Sequence, residues 1–141
     1  LLLVLISTLT DTFAYLIGSM FKGPKLCPSI SPNKTISGAI GGAVGGMLGA
    51  SLVLCCSIFG WLGVPALSAT VGLNITHYLI LGFVGALFTQ LGDLIASYAK
   101  RQCEIKDFGK LLPGHGGILD RIDGMLLNSV FLYIYLMILA V

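Results

Sequence analysis

SYAKRQCEIKDFGKLLPGHGGILDRID, residues Ser97–Asp123, decides how the rest of the chain is read. It holds five of the eight Lys/Arg residues and four of the six acids, in a protein of which only 10% is charged. Apolar sequence flanks it on both sides. Asp120 and Asp123 stand three apart, so on a helix their carboxylates share one face. Pro113-Gly114-His115-Gly116-Gly117 precedes them, a turn whose backbone N–H groups open into the positive end of that helix. Two carboxylates for a cation, with Lys/Arg and a glycine-rich helix start alongside, suit a phosphate-bearing ligand bound through a metal.

The chain has 141 residues, 56% of them hydrophobic, and a mean hydropathy of +0.97. Soluble domains carry roughly 25% charged residues, so the bilayer is the expected solvent. A net charge of +2 with no basic amphipathic face argues against nucleic acid as a partner. Cys27, Cys55, Cys56 and Cys103 show no metal-ligand spacing, so neither a zinc site nor a structural disulfide is expected. The opening Leu-Leu-Leu-Val-Leu lacks the basic segment and cleavage site of a signal peptide. It reads as an internal start, with residues 1–141 the C-terminal transmembrane part of a longer polypeptide.

Four long spans are expected, at about 1–20, 38–59, 75–100 and 118–140, giving an all-α polytopic transmembrane bundle with polar loops. Asp11 falls within the first span and Asp93 within the third. An aspartate at the bilayer centre costs about 2.5–3.5 kcal/mol on insertion scales, so both should face protein or water. His77 reads as an interfacial residue. The connection 21–37 has three lysines, three prolines and no acid; its prolines break any helix, and Ser37 can cap the next one. Gly38, Gly42 and Gly46 form one four-residue ladder and Gly41, Gly45 and Gly49 another, a surface for close helix packing in lipid. A second copy of the chain packed through this helix is a candidate partner. Trp61 and Pro65 mark 60–74 as an interfacial or re-entrant connection.

Every Lys and Arg except Arg121 lies in loops 21–37 and 100–117, which four spans place on one face. The positive-inside rule makes that face cytoplasmic.

Ser97-x-x-Lys100-Arg101, Lys106-Asp107 and Leu112-Pro113-Gly114-His115-Gly116-Gly117-x-x-Asp120-Arg121-x-Asp123 together resemble the signature of the phosphatidate cytidylyltransferases (CDP-diacylglycerol synthases). The earlier Asp11-x-x-Ala14-Tyr15-x-x-Gly18, Ser31-Pro32-x-Lys34-Thr35 and Gly92-Asp93 are similar to further segments of that family. Ala96 departs from it, where many members carry a glutamate. The resemblance implies an integral membrane enzyme that transfers CMP from CTP to phosphatidate and releases pyrophosphate, with Mg²⁺ required. It implies catalytic roles for Asp93, Lys106, Asp107, His115, Asp120, Arg121 and Asp123. It also implies nucleotide- or phosphate-binding roles for Asp11, Lys34, Thr35, Lys100, Arg101, Gly116 and Gly117. Asp93, Asp120 and Asp123 are the expected metal ligands, their closest oxygens within about 5 Å. Asp11, Lys34, Asp93, His115, Asp120 and Asp123 should line one cavity, open to water above and to lipid at the side.

Three rivals make different demands. A CDP-alcohol phosphotransferase needs further aspartates after Asp123-Gly124, where only apolar sequence follows. An ion-binding transporter needs no basic glycine-rich loop. A non-catalytic membrane subunit leaves Asp11 and Asp93 unexplained.

Overall fold

The computed structural model describes residues 1–61, 67, 71–105 and 119–139. Four helices, α1 (Leu2–Phe21), α2 (Ile36–Ile58), α3 (Val71–Gln102) and α4 (Leu119–Leu139), alternate with connections, and a short hairpin of β1 (Lys25–Cys27) and β2 (Ser31–Thr35) joins the first two. All four helices are long and apolar enough to cross a membrane, so the expected polytopic helical bundle is what forms.

Close approaches between helices define the topology. A methyl group added at Gly38, Gly42 or Gly49 would meet the backbone oxygen of Ala14, Thr10 or Leu5 respectively. As α2 ascends, α1 descends, so the two are antiparallel. Gly46 faces Gly82 and Ala86, while Gly85 faces Asn128 and Gly92 faces Gly124, which sets α3 against α2 and α4 against α3 in the same alternating sense. Both glycine ladders are filled from within the chain, by α1 and, at Gly42 and Gly46, also by α3. The glycine faces of α2 are thus taken up within the chain.

The apolar core sits at one end of the bundle, where Ile6, Ala50, Val53, Tyr78, Leu81 and Leu132 are buried together. Nearby, a polar cross-link ties three helices. Asn128 Nδ2 donates to Ser7 Oγ at 3.1 Å, Ser7 Oγ lies 3.2 Å from Thr89 Oγ1, and Thr89 Oγ1 donates to the Gly85 carbonyl at 3.0 Å. With no water to compete, such contacts hold helices together in lipid. Outward, Ile40, Val44, Leu48 and Leu52 form an exposed row four residues apart along α2, the face expected to meet acyl chains. His77 reaches no ligand group; its Nδ1 lies 2.8 Å from Tyr135 Oη, joining α3 to α4.

Helix ends depart from expectation in instructive ways. Thr35, not Ser37, caps α2: its Oγ1 accepts from the Gly38 N–H at 3.1 Å, and Ser37 Oγ bonds instead to Thr35 Oγ1. The strand-like backbone of Thr35, with φ −116° and ψ 155°, is what an N-cap requires. The hairpin was hidden by Pro24, Pro28 and Pro32, yet a two-stranded ribbon is all edge and tolerates Pro32. Lys25 pairs with Thr35 and Cys27 with Ser31, with an irregularity between. At the other end of the site, α3 closes with Glu104 N–H bonded to Arg101 O and Ile105 N–H bonded to Lys100 O. This is a Schellman arrangement with Glu104 at φ 55°, where glycine is the usual occupant.

Candidate active site

The site is assembled where α1, the hairpin, the start of α2 and the middle of α3 meet. Asp11, Ala14, Tyr15, Gly18 and Ser19 recur every three or four residues and so occupy one face of α1, and Lys22, its left-handed C-cap residue, joins them in the lining. Gly18 and Gly38 let that face come up against the start of α2; a methyl on Gly18 would sit 2.9 Å from Thr35 Oγ1, the capping atom itself. Thr35 is 6% exposed, so its buried cap fixes the backbone from which Lys34 projects.

Lys34 crosses to α3. Its Nζ lies 2.6 Å from Asp93 Oδ2, with both side chains partly exposed. The other oxygen of Asp93, Oδ1, has Ser97 Oγ at 3.5 Å, too long for a firm hydroxyl–carboxylate bond. One turn earlier on α3, Gln90 Nε2 donates to the Ala39 carbonyl at 3.2 Å, pinning α3 to α2.

These groups surround a cavity of about 790 Å³. Lys22, Lys25 and Lys34 line it together with Asp11 and Asp93. The dimensions suit a nucleotide-sized or headgroup-sized ligand, and the mixture of ammonium and carboxylate groups suits phosphate carried with a cation. Asp123 is not in the lining, but it lies within charge–charge range of Asp11, Asp93 and Lys34. Its Oδ1 accepts from the Gly124 N–H at 2.7 Å. Glycines explain why α3 and α4 deliver two acids to the same level. A methyl on Gly92 would meet the Asp123 carbonyl at 2.8 Å and Gly124 Cα at 3.1 Å, so the backbones touch beside Asp93 and Asp123.

A sequence model described as the cytidylyltransferase family matches residues 1–139. The chain belongs to the cytidylyltransferase family. Among its relatives are proteins named phosphatidate cytidylyltransferase from Brucella abortus (strain 2308), 48% identical over 128 residues, and from Staphylococcus aureus (strain COL), 45% identical over 125. One of the same name from Rickettsia conorii is 38% identical over 124 residues. Those alignments cover 89%, 86% and 88% of this chain, and 42%, 42% and 51% of the relatives. The chain therefore spans about half the length of the curated relatives it matches.

Of the residues that the family resemblance singles out, the fold brings Asp11, Lys34, Thr35 and Asp93 to one cavity, with Asp123 close by. Lys100 lies within charge–charge range of Asp123. Arg101 Nε approaches the Ile30 carbonyl at 3.5 Å, so the two basic connections meet at the same end of the bundle. Asp120 and Arg121 fall in the first turn of α4, with side chains outside the described residues; Lys106, Asp107, His115, Gly116 and Gly117 lie outside them entirely. Among the described residues no three His, Cys, Asp or Glu side chains converge on a metal position. The donor chemistry is nonetheless of the right kind for Mg²⁺: Asp11, Asp93 and Asp123 offer hard carboxylate oxygens, with neither thiolate nor imidazole among them.

Sequence reasoning missed Lys22, Lys25 and Gln90 as parts of the site. For Gln90 a signal existed, since an amide three residues before Asp93 on an apolar helix shares its face. The two lysines carried none beyond general loop charge.

Proposed function

We propose that this chain carries the site at which CMP passes from CTP to phosphatidate, giving CDP-diacylglycerol and pyrophosphate, in a Mg²⁺-dependent reaction of phospholipid synthesis. The observation that carries the reading is the cavity where three lysines face Asp11 and Asp93 between apolar helices, in a chain of this family. The relatives' name supplies the substrates.

Such a reaction asks little covalent chemistry of the protein and much positioning. A phosphate oxygen of phosphatidate forms a bond to the α-phosphorus of CTP, and the bond from that phosphorus to the bridging oxygen breaks, so pyrophosphate leaves with the electron pair. The nucleophile is already an anion, and no general base is assigned. Lys22, Lys25 and Lys34 can neutralise phosphate oxygens, and Lys100, Arg101 and Arg121 stand at the same end of the bundle to add to them. Asp93 and Asp123, with Asp120, are the candidate holders of Mg²⁺, which when bound would screen charge on the phosphates. The lysines and arginines of the two basic connections support a cytoplasmic orientation of this face by the positive-inside rule, on the side where CTP is present.

The test is conversion of labelled CTP and phosphatidate to a liponucleotide by the intact protein in nanodiscs, with and without Mg²⁺. Turnover that needs Mg²⁺ and falls at least a hundredfold in Asp93→Asn, with helicity unchanged, is the expected result. Undiminished turnover in Asp93→Asn refutes the assignment of this cavity.

A further inference from the structure

Lys34 and the bound cation are expected to compete for one carboxylate. Resting on the function proposed above, we propose that Lys34 is a positioning residue that stands in for the divalent cation at Asp93 while the site is empty, and surrenders that carboxylate to the cation when nucleotide arrives.

The geometry supplies both halves of the exchange. Lys34 Nζ is 2.6 Å from Asp93 Oδ2, and no hydrogen-bond acceptor among the described residues holds it elsewhere. Asp93 is thus engaged through one oxygen, while Oδ1 has only the long approach of Ser97. A metal ion at about 2.1 Å from the same carboxylate would leave two positive centres crowded on one anion. The ammonium has to give way. Its anchor allows that: the buried Thr35 cap holds the backbone next door, and the flexible four-carbon stem can swing without moving it. Around it the cavity carries Lys22, Lys25 and Asn33, the surroundings in which a triphosphate or lipid phosphate would offer Lys34 a new anion.

The exchange also accounts for charge. Asp11, Asp93 and Asp123 all lie within range of Lys34, and of these three carboxylates it is Asp93 that the Lys34 ammonium contacts directly. Paired with Lys34, Asp93 is satisfied and disfavours a lone metal ion. Once phosphate draws Lys34 away, the carboxylate becomes a ligand. Metal and nucleotide would then bind in a mutually supporting way, and free divalent cation alone would bind weakly.

Mn²⁺ binding to the intact protein in nanodiscs, followed by electron paramagnetic resonance without turnover, tests this directly. Without nucleotide, Lys34→Met and Lys34→Gln should bind Mn²⁺ at least tenfold more tightly than the native protein, whereas Lys34→Arg should match the native value. With CTP present, the advantage of Lys34→Met should vanish or reverse. In an Asp93→Asn background, Lys34→Met should change nothing. Equal or weaker Mn²⁺ binding in folded Lys34→Met and Lys34→Gln, or a gain that persists in the Asp93→Asn background, overturns the proposal. A native protein that binds neither Mn²⁺ nor CTP refutes instead the function on which it rests.

Discussion

Gly49→Ala isolates the contribution of the glycine ladder. The added methyl would lie 2.7 Å from the Leu5 carbonyl oxygen, 2.9 Å from its carbon and 3.1 Å from the Ile6 nitrogen. All three are backbone atoms, so no rotamer change relieves the clash. Reaching 3.4 Å, where ordinary contact begins, requires α1 and α2 to part by about 0.7 Å. Moving them at Gly49 also loosens the contacts that Gly42 and Gly38 make with Thr10 and Ala14. Overpacking of this kind costs about 1–3 kcal/mol. Against it stands the better helix propensity of alanine, worth about 0.8–1 kcal/mol. Because the obstacle is rigid backbone, the upper half of the range applies, and a net loss of about 1–2 kcal/mol is expected. Gly72→Ala is the matched control, since a methyl there meets nothing within 4 Å among the described residues; with no clash to oppose helix propensity it should be neutral or stabilising by up to about 1 kcal/mol. Reversible unfolding in mixed micelles, followed by far-ultraviolet circular dichroism, measures both. A Gly49→Ala protein as stable as the native one would refute the backbone-contact account of the ladder.

Two further substitutions probe the site from either side. Thr35→Val keeps the shape of the cap and removes its acceptor, so it should lose about 1 kcal/mol of stability, while Thr35→Ser should retain it; equal unfolding of both variants would deny the cap its role. Asp120→Asn keeps size and removes charge, and liponucleotide formation should be abolished with the circular dichroism spectrum intact. Normal turnover would remove Asp120 from the proposed metal site.

What sequence alone reveals here is whatever depends on long apolar runs. The four spans are legible because each reaches the length of roughly 20 apolar residues that a bilayer core of about 30 Å requires. Their ends are less so, because they depend on single contacts: Thr35 rather than Ser37 caps α2, and α3 begins at Val71, ahead of the expected position 75. Small residues at four-residue spacing announce a packing face but not its partner, and here the partner is α1. Asp11, Lys34 and Asp93 stand out as polar groups in or beside apolar segments, and these three line one cavity, whereas Asp123, expected with them, stands outside the lining and His115 and the Asp120 side chain lie outside the described residues. The direct Lys34–Asp93 pair is different. It depends on the hairpin register, and no alternation across residues 25–35 betrays that hairpin.

The Asn128–Ser7–Thr89 cross-link bears on how the bundle is made during synthesis. Its two outer partners are separated by 121 positions along the chain. As segments leave the ribosome, Ser7 is in the membrane first, Thr89 follows, and Asn128 comes last. Until then Thr89 can satisfy its hydroxyl on the Gly85 carbonyl of its own helix, and Ser7 and Thr89 can meet once α3 is inserted. Helices α1 to α3 are therefore able to associate before α4 arrives, and the expected order has Asn128 docking last, onto the Ser7–Thr89 pair. Cross-linking of arrested nascent chains should detect the Ser7–Thr89 proximity before residue 128 has emerged.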